Sequence, residues 1–474
     1  MKWTRTSFKL SLLKWTKRFF LFLVSMALLF TVLNYIFPVP DKIEYSTIIE
    51  DNKGEVIHAF LTSDEKWRMK TTLAEISPSL KKTIVAKEDK YFYSHPGINP
   101  LAMGRAFLKN TWRGKRTSGA STITMQVARA LEPKRRTYLN KIVEMFRACQ
   151  LEWKYSKDEI LQLYLNLVPY GGNIEGVKSA SLLYFKKDPD HLSLAEITAL
   201  SIIPNRPSSL VLGSTNDTII NERNRWLKKF AAEELFTERE IADALSEPLD
   251  VKRNTVPRLV PHLAYKLKRT GSDIIQTTID LNTQVKVEKL TEDYVRTLRL
   301  QNIRNASVIV IDNKTGNIIT YVGSANFFDT TDGGQVNGAA AIRQPGSTLK
   351  PLLYGLCIDA GYLTPKSIIS DVAISYDGYS PENYDRQFNG YVSMEYALEH
   401  SLNIPAVKSL RSFGKDKFVQ TLSDCDFTQV RKDQKKLGLS MILGGCGATL
   451  EQLTGMYSIF ANDGLFSKPI ILKS

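Results

Sequence analysis

The chain has 474 residues, 43% of them hydrophobic, so it holds apolar material for two or three cored domains and is not a disordered protein. Lysine and arginine outnumber aspartate and glutamate by 63 to 49, and the net charge of +14 calls for an anionic partner: nucleic acid, a membrane surface or a phosphorylated substrate. The 4 cysteines show no C-x-x-C spacing and the 5 histidines no H-E-x-x-H pattern, which argues against a disulfide scaffold, a zinc site or a histidine-based catalytic metal.

Lys2, Arg5, Lys9, Lys14, Lys17 and Arg18 form a basic tail over residues 1–18 with no acid among them. Residues 19–37 carry no charge and are about long enough to cross a hydrocarbon core as a transmembrane helix, closed by Pro38 and Pro40. The positive-inside tendency puts the tail in the cytoplasm and everything after Pro38 outside. No small-x-small cleavage site follows the apolar run, so a membrane anchor is expected in place of a cleaved signal peptide. That topology disfavours nucleic acid as the anionic partner.

Residues 45–60 read as a β-type lead-in turning at Asp51-Asn52-Lys53-Gly54, and the pattern then becomes mainly helical to about Leu210. Capping boxes at Thr72-x-x-Glu75, Ser156-x-x-Glu159 and Ser193-x-x-Glu196 predict three helix starts, and Pro204 and Pro207 end the region. A first domain is expected over 45–215. A charged, helix-prone connector over 216–300 follows, with a fourth capping box at Thr237-x-x-Glu240. Residues 306–322 hold two β-branched runs around a turn at 313–317, a hairpin opening an α/β domain over 301–474. Cys425 and Cys446 could pair in an oxidising compartment, but buried free thiols are the expected state.

The first cluster with chemistry starts at Glu88 and Asp89, two acids beside Tyr91, Phe92 and Tyr93, a setting in which desolvation can raise a carboxyl and make a general base. For an isolated acid pair a solvated helix end is the commoner meaning. Next come Ser118-Gly119-Ala120-Ser121-Thr122-Ile123-Thr124-Met125-Gln126, whose amides and hydroxyls could hold phosphate oxygens at a helix start. Arg129, Lys134, Arg135, Arg136, Lys141 and Glu144 follow, a set of cations with a second carboxylate that suits a diphosphate leaving group.

In this order the residues resemble family 51 glycosyltransferases, the lysozyme-like domain of class A penicillin-binding proteins. The matching motifs are Glu88-Asp89-x-x-Phe92-x-x-His95-x-Gly97, then Gly119-Ala120-Ser121-Thr122-Ile123-Thr124-Met125-Gln126, then Asn140-Lys141-Ile142-Val143-Glu144, then Tyr164-Leu165-Asn166 with Gly171-Gly172. The resemblance implies that Glu88 deprotonates the sugar 4-hydroxyl of lipid II, which attacks the growing lipid-linked glycan strand with release of undecaprenyl diphosphate. It implies that Thr122, Gln126, Arg129 and Lys141 bind the diphosphate or nearby sugar, that Glu144 assists at the leaving-group side, and that Asp89, Phe92, His95, Ser121, Thr124 and Asn166 belong to the substrate site. No cofactor is required, although some relatives use a divalent metal, and other cell-wall synthesis proteins are candidate partners. Ala120, Met125 and Asn140 depart from the pattern, and Asn140 replaces a bidentate arginine with a neutral amide, which leaves a non-catalytic scaffold open as a rival. The wording Thr124-Met125-Gln126-Val127-Ala128-Arg129 looks most like the 1C branch.

The second cluster is Ser347-Thr348-Leu349-Lys350, where the lysine amine lies one helical turn from the serine hydroxyl. Ser11-x-x-Lys14, Ser79-x-x-Lys82 and Ser412-x-x-Lys415 fit the same pattern, so context decides. Arg343-Gln344-Pro345-Gly346 before it, Pro381-x-Asn383-Tyr384-Asp385 and Ser401-Leu402-Asn403 after it, are similar to the transpeptidase domain of penicillin-binding proteins. The resemblance implies acylation of Ser347 by a stem peptide or a β-lactam, activation by Lys350, and assistance from Ser401 and Asn403. A serine D,D-transpeptidase or carboxypeptidase is therefore the rival main activity. Lys314-Thr315-Gly316 precedes the nucleophile and reads as a turn. No such tripeptide follows Ser401, so the transpeptidase portion is expected to be truncated, impaired in acyl transfer and poorly packed. The expected fold class is multidomain: a transmembrane helix, a mainly α lysozyme-like domain and a truncated α/β domain of the serine β-lactamase-like, penicillin-binding type.

Overall fold

The computed structural model describes residues 5–40, 42–113, 121–135, 137–207, 209–249, 251–376 and 378–473. The chain divides into two compact units, one of residues 1–47 and 60–256, the other of 48–59 and 257–474.

The first unit is helical. Helix α1, Arg5–Ile36, contains a 20-residue stretch, Lys17–Ile36, that is long and apolar enough to cross a membrane and has none of its surface buried. Its run of Phe, Leu, Val, Ala and Met contains neither glycine nor proline, which favours an uninterrupted helix, and Pro38 follows its end. The C-terminal end of α1 rests on the helix Tyr138–Lys154: Gln150 Nε2 donates to Asn34 Oδ1 at 2.8 Å, Arg147 Nη1 to the Phe37 carbonyl at 2.6 Å, and the Phe30 ring lies 5.7 Å from that of Phe146.

The remaining helices of this unit are α2 (Pro78–Glu88), α3 (Pro100–Arg113), α4 (Ile123–Leu131), α5 (Tyr138–Lys154), α6 (Lys157–Leu167), α7 (Val177–Ala180), α8 (Leu194–Ile202), α9 (Asn216–Ala232) and α10 (Glu238–Ser246). All four capping boxes close, at Thr72, Ser156, Ser193 and Thr237. Each satisfies amides that a helix start leaves without partners, worth about 1 kcal/mol. Strands β3 (Trp67–Arg68) and β4 (Ile174–Glu175) pair in parallel. Ala195, Leu227, Phe230, Ile241 and Ala244 form an apolar cluster that locks α8, α9 and α10 together.

Two sequence-based boundaries shift. Helices α9 and α10, read as a connector, pack against α8 and belong to the first unit. Residues 48–59, read as the lead-in of the first domain, belong to the second. There β1 (Ile48–Glu50) runs antiparallel to β2 (Val56–Ala59) and parallel to β5 (Ile274–Gln276), in sheet order β2-β1-β5. The strand ladder explains the shift: Ile48 stands opposite Ile274, far along the chain, and a short hairpin alone would be marginal.

The second unit continues with α11 (Pro261–Lys268), α12 (Leu281–Leu298) and the predicted hairpin, β6 (Val308–Ile311) with β7 (Ile318–Val322). Asp312 Oδ1 accepts the Lys314 and Thr315 amides, both at 2.9 Å, and Gly316 takes φ 73°, so Lys314-Thr315-Gly316 is the turn. Then come α13 (Lys350–Asp359), β8 (Ile368–Asp371), β9 (Gly390–Ser393), α14 (Met394–Glu399), α15 (Asn403–Phe413), α16 (Lys415–Asp424), α17 (Thr428–Asp433) and α18 (Leu450–Tyr457). Loose packing is not observed. Leu353, Val407, Leu410, Phe418, Phe427, Met441 and Ile442 are wholly buried in one core, to which α13, α15 and α16 contribute apolar faces.

Candidate functional site

In the first unit the candidate residues collect around α4. Glu88 is the last residue of α2, and the chain leaves the helix at Asp89. One Glu88 carboxylate oxygen accepts from Lys87 Nζ and the other from Gln126 Nε2 at 3.0 Å. The Glu88 side chain is 5% exposed. Of its aromatic neighbours only Phe92 is buried, while Tyr91 and Tyr93 are exposed, so the expected local desolvation by that cluster is not what encloses it. The hydroxyls of Tyr164 and Tyr170 are buried without hydrogen-bond partners, and burial, then the charge of Glu88, pushes both up.

One turn beyond Gln126, Arg129 donates to both oxygens of Glu144, Nε to Oε1 at 2.8 Å and Nη2 to Oε2 at 2.9 Å. Residues three apart share a helix face, so one side of α4 serves both carboxylates. Lys141 Nζ lies 3.2 Å from Glu144 Oε2 and donates to Ser121 Oγ at 2.6 Å. Burial works to raise the Glu144 carboxyl, but the hydrogen bonds and charges of Arg129 and Lys141 outweigh it and hold the group below its ordinary value. Glu144 is thus the counter-ion that gathers Arg129 and Lys141 beside Ser121. Asn140 donates to the Arg135 carbonyl at 2.7 Å, fixing the chain before α5.

Six motif residues expected at the substrate site make buried contacts within the unit. Asp89 and His95 are buried and joined, His95 Nε2 standing 3.0 Å from each Asp89 oxygen, while Asp89 Oδ2 accepts the Ile123 amide at 3.0 Å. Thr122 caps α4 by accepting the Met125 amide at 3.1 Å and donates to the Gly97 carbonyl at 2.6 Å. Thr124 donates to Glu152 at 2.6 Å. Phe92 is wholly buried under the Lys157 amine, 4.5 Å from its ring centre. Asn166 accepts the Thr71 amide and donates to the Thr71 carbonyl, both at 2.9 Å. The Ile123 and Met125 amides at the start of α4 are therefore engaged by Asp89 and Thr122, while Ser121 Oγ accepts from both Arg129 and Lys141. Ser118, Gly119, Ala120 and Arg136 lie outside the described residues. The motifs did not single out Lys87, whose only sequence signal is its position beside Glu88. Among the described residues no three His, Cys, Asp or Glu side chains gather as metal ligands.

In the second unit Ser347 lies exposed in the 3-10 turn Gly346–Leu349, and Lys350 begins α13. Lys350 is 1% exposed, and its amine donates to the Ser401 carbonyl at 2.6 Å, Ser401 Oγ at 3.2 Å and Asn403 Oδ1 at 2.8 Å. Burial lowers the ammonium to about 8. Ser401 sits at φ 51°, a left-handed conformation that costs a non-glycine residue strain and here turns its carbonyl to the amine. Ser347, Lys350, Ser401 and Asn403 thus share one corner of the unit, although the Ser347 hydroxyl makes no hydrogen bond to Lys350. The decoy Ser79 and Lys82 lie on α2, and Lys82 donates to the Leu235 carbonyl. All four cysteines are free, and burial pushes Cys357, Cys425 and Cys446 up to about 11.

Comparison with known proteins adds family to geometry. Residues 53–231 match the transglycosylase family model, and residues 306–474 match that of the penicillin binding protein transpeptidase domain. The chain is 34% identical over 435 residues to penicillin-binding protein 1C of Escherichia coli, covering 91% of this chain and 56% of that one. It is 30% identical over 450 residues to penicillin-binding protein 1F of Bacillus subtilis, covering 90% and 61%. It therefore spans between half and two thirds of the length of these relatives. A crystal structure of penicillin-binding protein 1A from Haemophilus influenzae aligns with 91% of this chain and 70% of that chain at 18% identity and a TM-score of 0.46. With a transglycosylase domain followed by a penicillin-binding transpeptidase domain, the chain belongs to the class A penicillin-binding proteins.

Proposed function

We propose that the first unit is a peptidoglycan glycosyltransferase that polymerises lipid II into glycan strands. Glu88 takes the proton of an acceptor 4-hydroxyl, that oxygen bonds to the donor anomeric carbon with inversion, and the bond from that carbon to the lipid diphosphate breaks. Arg129, Lys141 and Ser121 stabilise the charge gathering on the departing undecaprenyl diphosphate, with Glu144 holding the two cations. The observation that carries this reading is the single face of α4, where Gln126 meets Glu88 and Arg129 meets Glu144. The test is an assay of the purified full chain with lipid II, measuring glycan length and penicillin labelling on one sample. Absence of any polymer would defeat the reading.

The buried lysine favours a second activity in the second unit. Ser347 Oγ attacks the carbonyl of a stem peptide or β-lactam, its proton passes to neutral Lys350, and the acyl-enzyme forms as the amide carbon–nitrogen bond breaks and that proton is passed on to the leaving nitrogen. An amine lowered to about 8 is available as a base near neutral pH.

The bare apolar surface of Lys17–Ile36 supports an anchor in the bacterial inner membrane, with the basic tail in the cytoplasm and both units in the periplasm or cell exterior. Exposed Tyr138, Leu139, Ile142 and Trp153 on α5 extend that apolar surface towards the site. Protease cleavage of intact and opened spheroplasts tests the orientation. Cleavage of the large units only after opening would reverse it.

A further inference from the structure

The amine of Lys350 is held at the end of a buried hydrogen-bonded relay that starts at a carboxylate no sequence motif singles out. Asp371, the last residue of β8, has no exposed surface, and among the described residues no lysine, arginine or histidine pairs with it. Its charge is met by amides alone. Asn383 Nδ2 donates to Oδ1 at 3.0 Å and Oδ2 at 2.9 Å, and Asn389 donates to Oδ2 through its backbone amide at 3.0 Å and its side chain at 2.7 Å. A buried carboxylate is expensive and survives only where its acceptor capacity is filled.

The relay has a direction. Because a carboxylate only accepts, the Asn383 side chain must turn its NH2 group to Asp371, and that leaves its oxygen facing the other way. The Asn383 oxygen accepts the backbone amide of Asn403, the first residue of α15, at 2.8 Å. Asn403 in turn donates through Nδ2 to the Glu382 carbonyl at 2.8 Å, which points its own oxygen at Lys350 Nζ, 2.8 Å away. Asp371, with the Gln387 carbonyl 2.8 Å from Asn383 Nδ2, sets the Asn383 amide, Asn383 holds the backbone at the start of α15, and the Glu382 carbonyl sets the Asn403 side chain.

We propose that Asp371 is a positioning residue for Lys350, acting through Asn383 and Asn403 to hold the amine in its buried place. The functional meaning of this inference rests on Lys350 serving Ser347, but the relay can be tested without acyl transfer. Replacing Asp371 by asparagine keeps its shape but removes the charge that holds Asn383 Nδ2, leaving the Gln387 carbonyl as its remaining acceptor at 2.8 Å, so the Asn383 oxygen is held less firmly against the Asn403 amide. The start of α15 then loosens, and with it the Asn403 oxygen that holds Lys350 beside Ser401.

No carboxylate pairs with Lys350 among the described residues, and burial is the cause of its lowered ammonium. Around Asp371 the other ionisable neighbours are Tyr354, which feels its charge, and Lys408, whose amine is bound to Ser370 O at 2.8 Å and Oγ at 2.6 Å. Removing the relay therefore acts on Lys350 by letting water in.

The experiment is trace acetylation of the full chain with acetic anhydride between pH 6.5 and 11, read peptide by peptide by mass spectrometry, with exposed Lys366 as the internal reference. In the unsubstituted chain the Lys350 midpoint lies near 8. In Asp371→Asn it moves up towards the ordinary lysine value, and Lys350 reactivity relative to Lys366 rises at the alkaline end. Asn383→Ala, which cuts the relay while keeping the carboxylate, gives the same shift and serves if Asp371→Asn does not fold. A melting temperature that falls while the Lys350 midpoint stays put, or drops, overturns the proposal, because a merely structural aspartate would behave so. Penicillin labelling of Ser347 on the same samples separates the two ideas: absence of labelling in the unsubstituted chain strikes the acyl-transfer reading and leaves the relay result standing.

Discussion

Gln126 and Arg129 stand one turn apart on α4, and each holds one of the two carboxylates of the first site, Glu88 at 3.0 Å and Glu144 at 2.8 Å. A helix turn is about 5.4 Å in pitch, so α4 sets the separation of the proposed base from the cationic cluster by rigid covalent geometry.

Cutting that link should slow polymerisation without unfolding the chain. Gln126→Ala removes a hydrogen bond to a charged group, worth about 1.5–3 kcal/mol, and should lower the lipid II polymerisation rate about 10- to 100-fold. Rate measurement beside a melting curve checks it, and an unchanged rate would count against the geometry.

Glu144→Gln should cost about 1 kcal/mol at neutral pH, a modest figure because the ion pair is partly solvated. The Glu144 carboxyl is lower folded than unfolded, so its contribution is complete above the ordinary carboxylate range and fades as pH falls through the lower, folded value. Urea unfolding at pH 7 and pH 3 should show a smaller deficit of the variant at the second than at the first.

The motif residues with buried partners make the opposite prediction. Asp89→Asn should lower the melting temperature, since the buried carboxylate accepts from His95 and the Ile123 amide, at a cost of about 2 kcal/mol. The KM for lipid II should stay within about twofold of normal. A large KM rise with unaltered stability would make Asp89 a substrate ligand.

How much of this was readable in the chain depends on range. The capping boxes at Thr72, Ser156, Ser193 and Thr237 were legible because a cap is a contact within four residues. The turn at Lys314-Thr315-Gly316 was legible for the same reason. The pairing of Ile48 with Ile274 was not, since no local pattern names a partner that far along. Ordered motifs brought Glu88, Gln126, Arg129, Lys141 and Glu144 to one place. They could not tell these from Asp89, His95, Thr124 and Asn166, which bond to buried partners within the unit, because both kinds sit in the same strings of residues. Asp371 carried no signal at all, being a lone acid at a strand end.

Lys350 supplies a pH prediction of the other sign. Its folded ammonium is lowered to about 8 from 10.5, so the unfolded chain binds the extra proton between those values and stability should rise as pH climbs from 8 towards 10.5. Lys350→Met should abolish that rise in a pH series of chemical melts. Penicillin labelling of Ser347 should climb through pH 8 in the unsubstituted chain and be lost in the variant.

The most direct test of the central claim is the lipid II polymerisation rate of the Glu88→Gln full chain, with its melting temperature measured in parallel. A fall of about a hundred- to ten-thousandfold with the fold intact is the expected result for loss of a general base. Polymerisation at the normal rate by the folded variant would contradict the account.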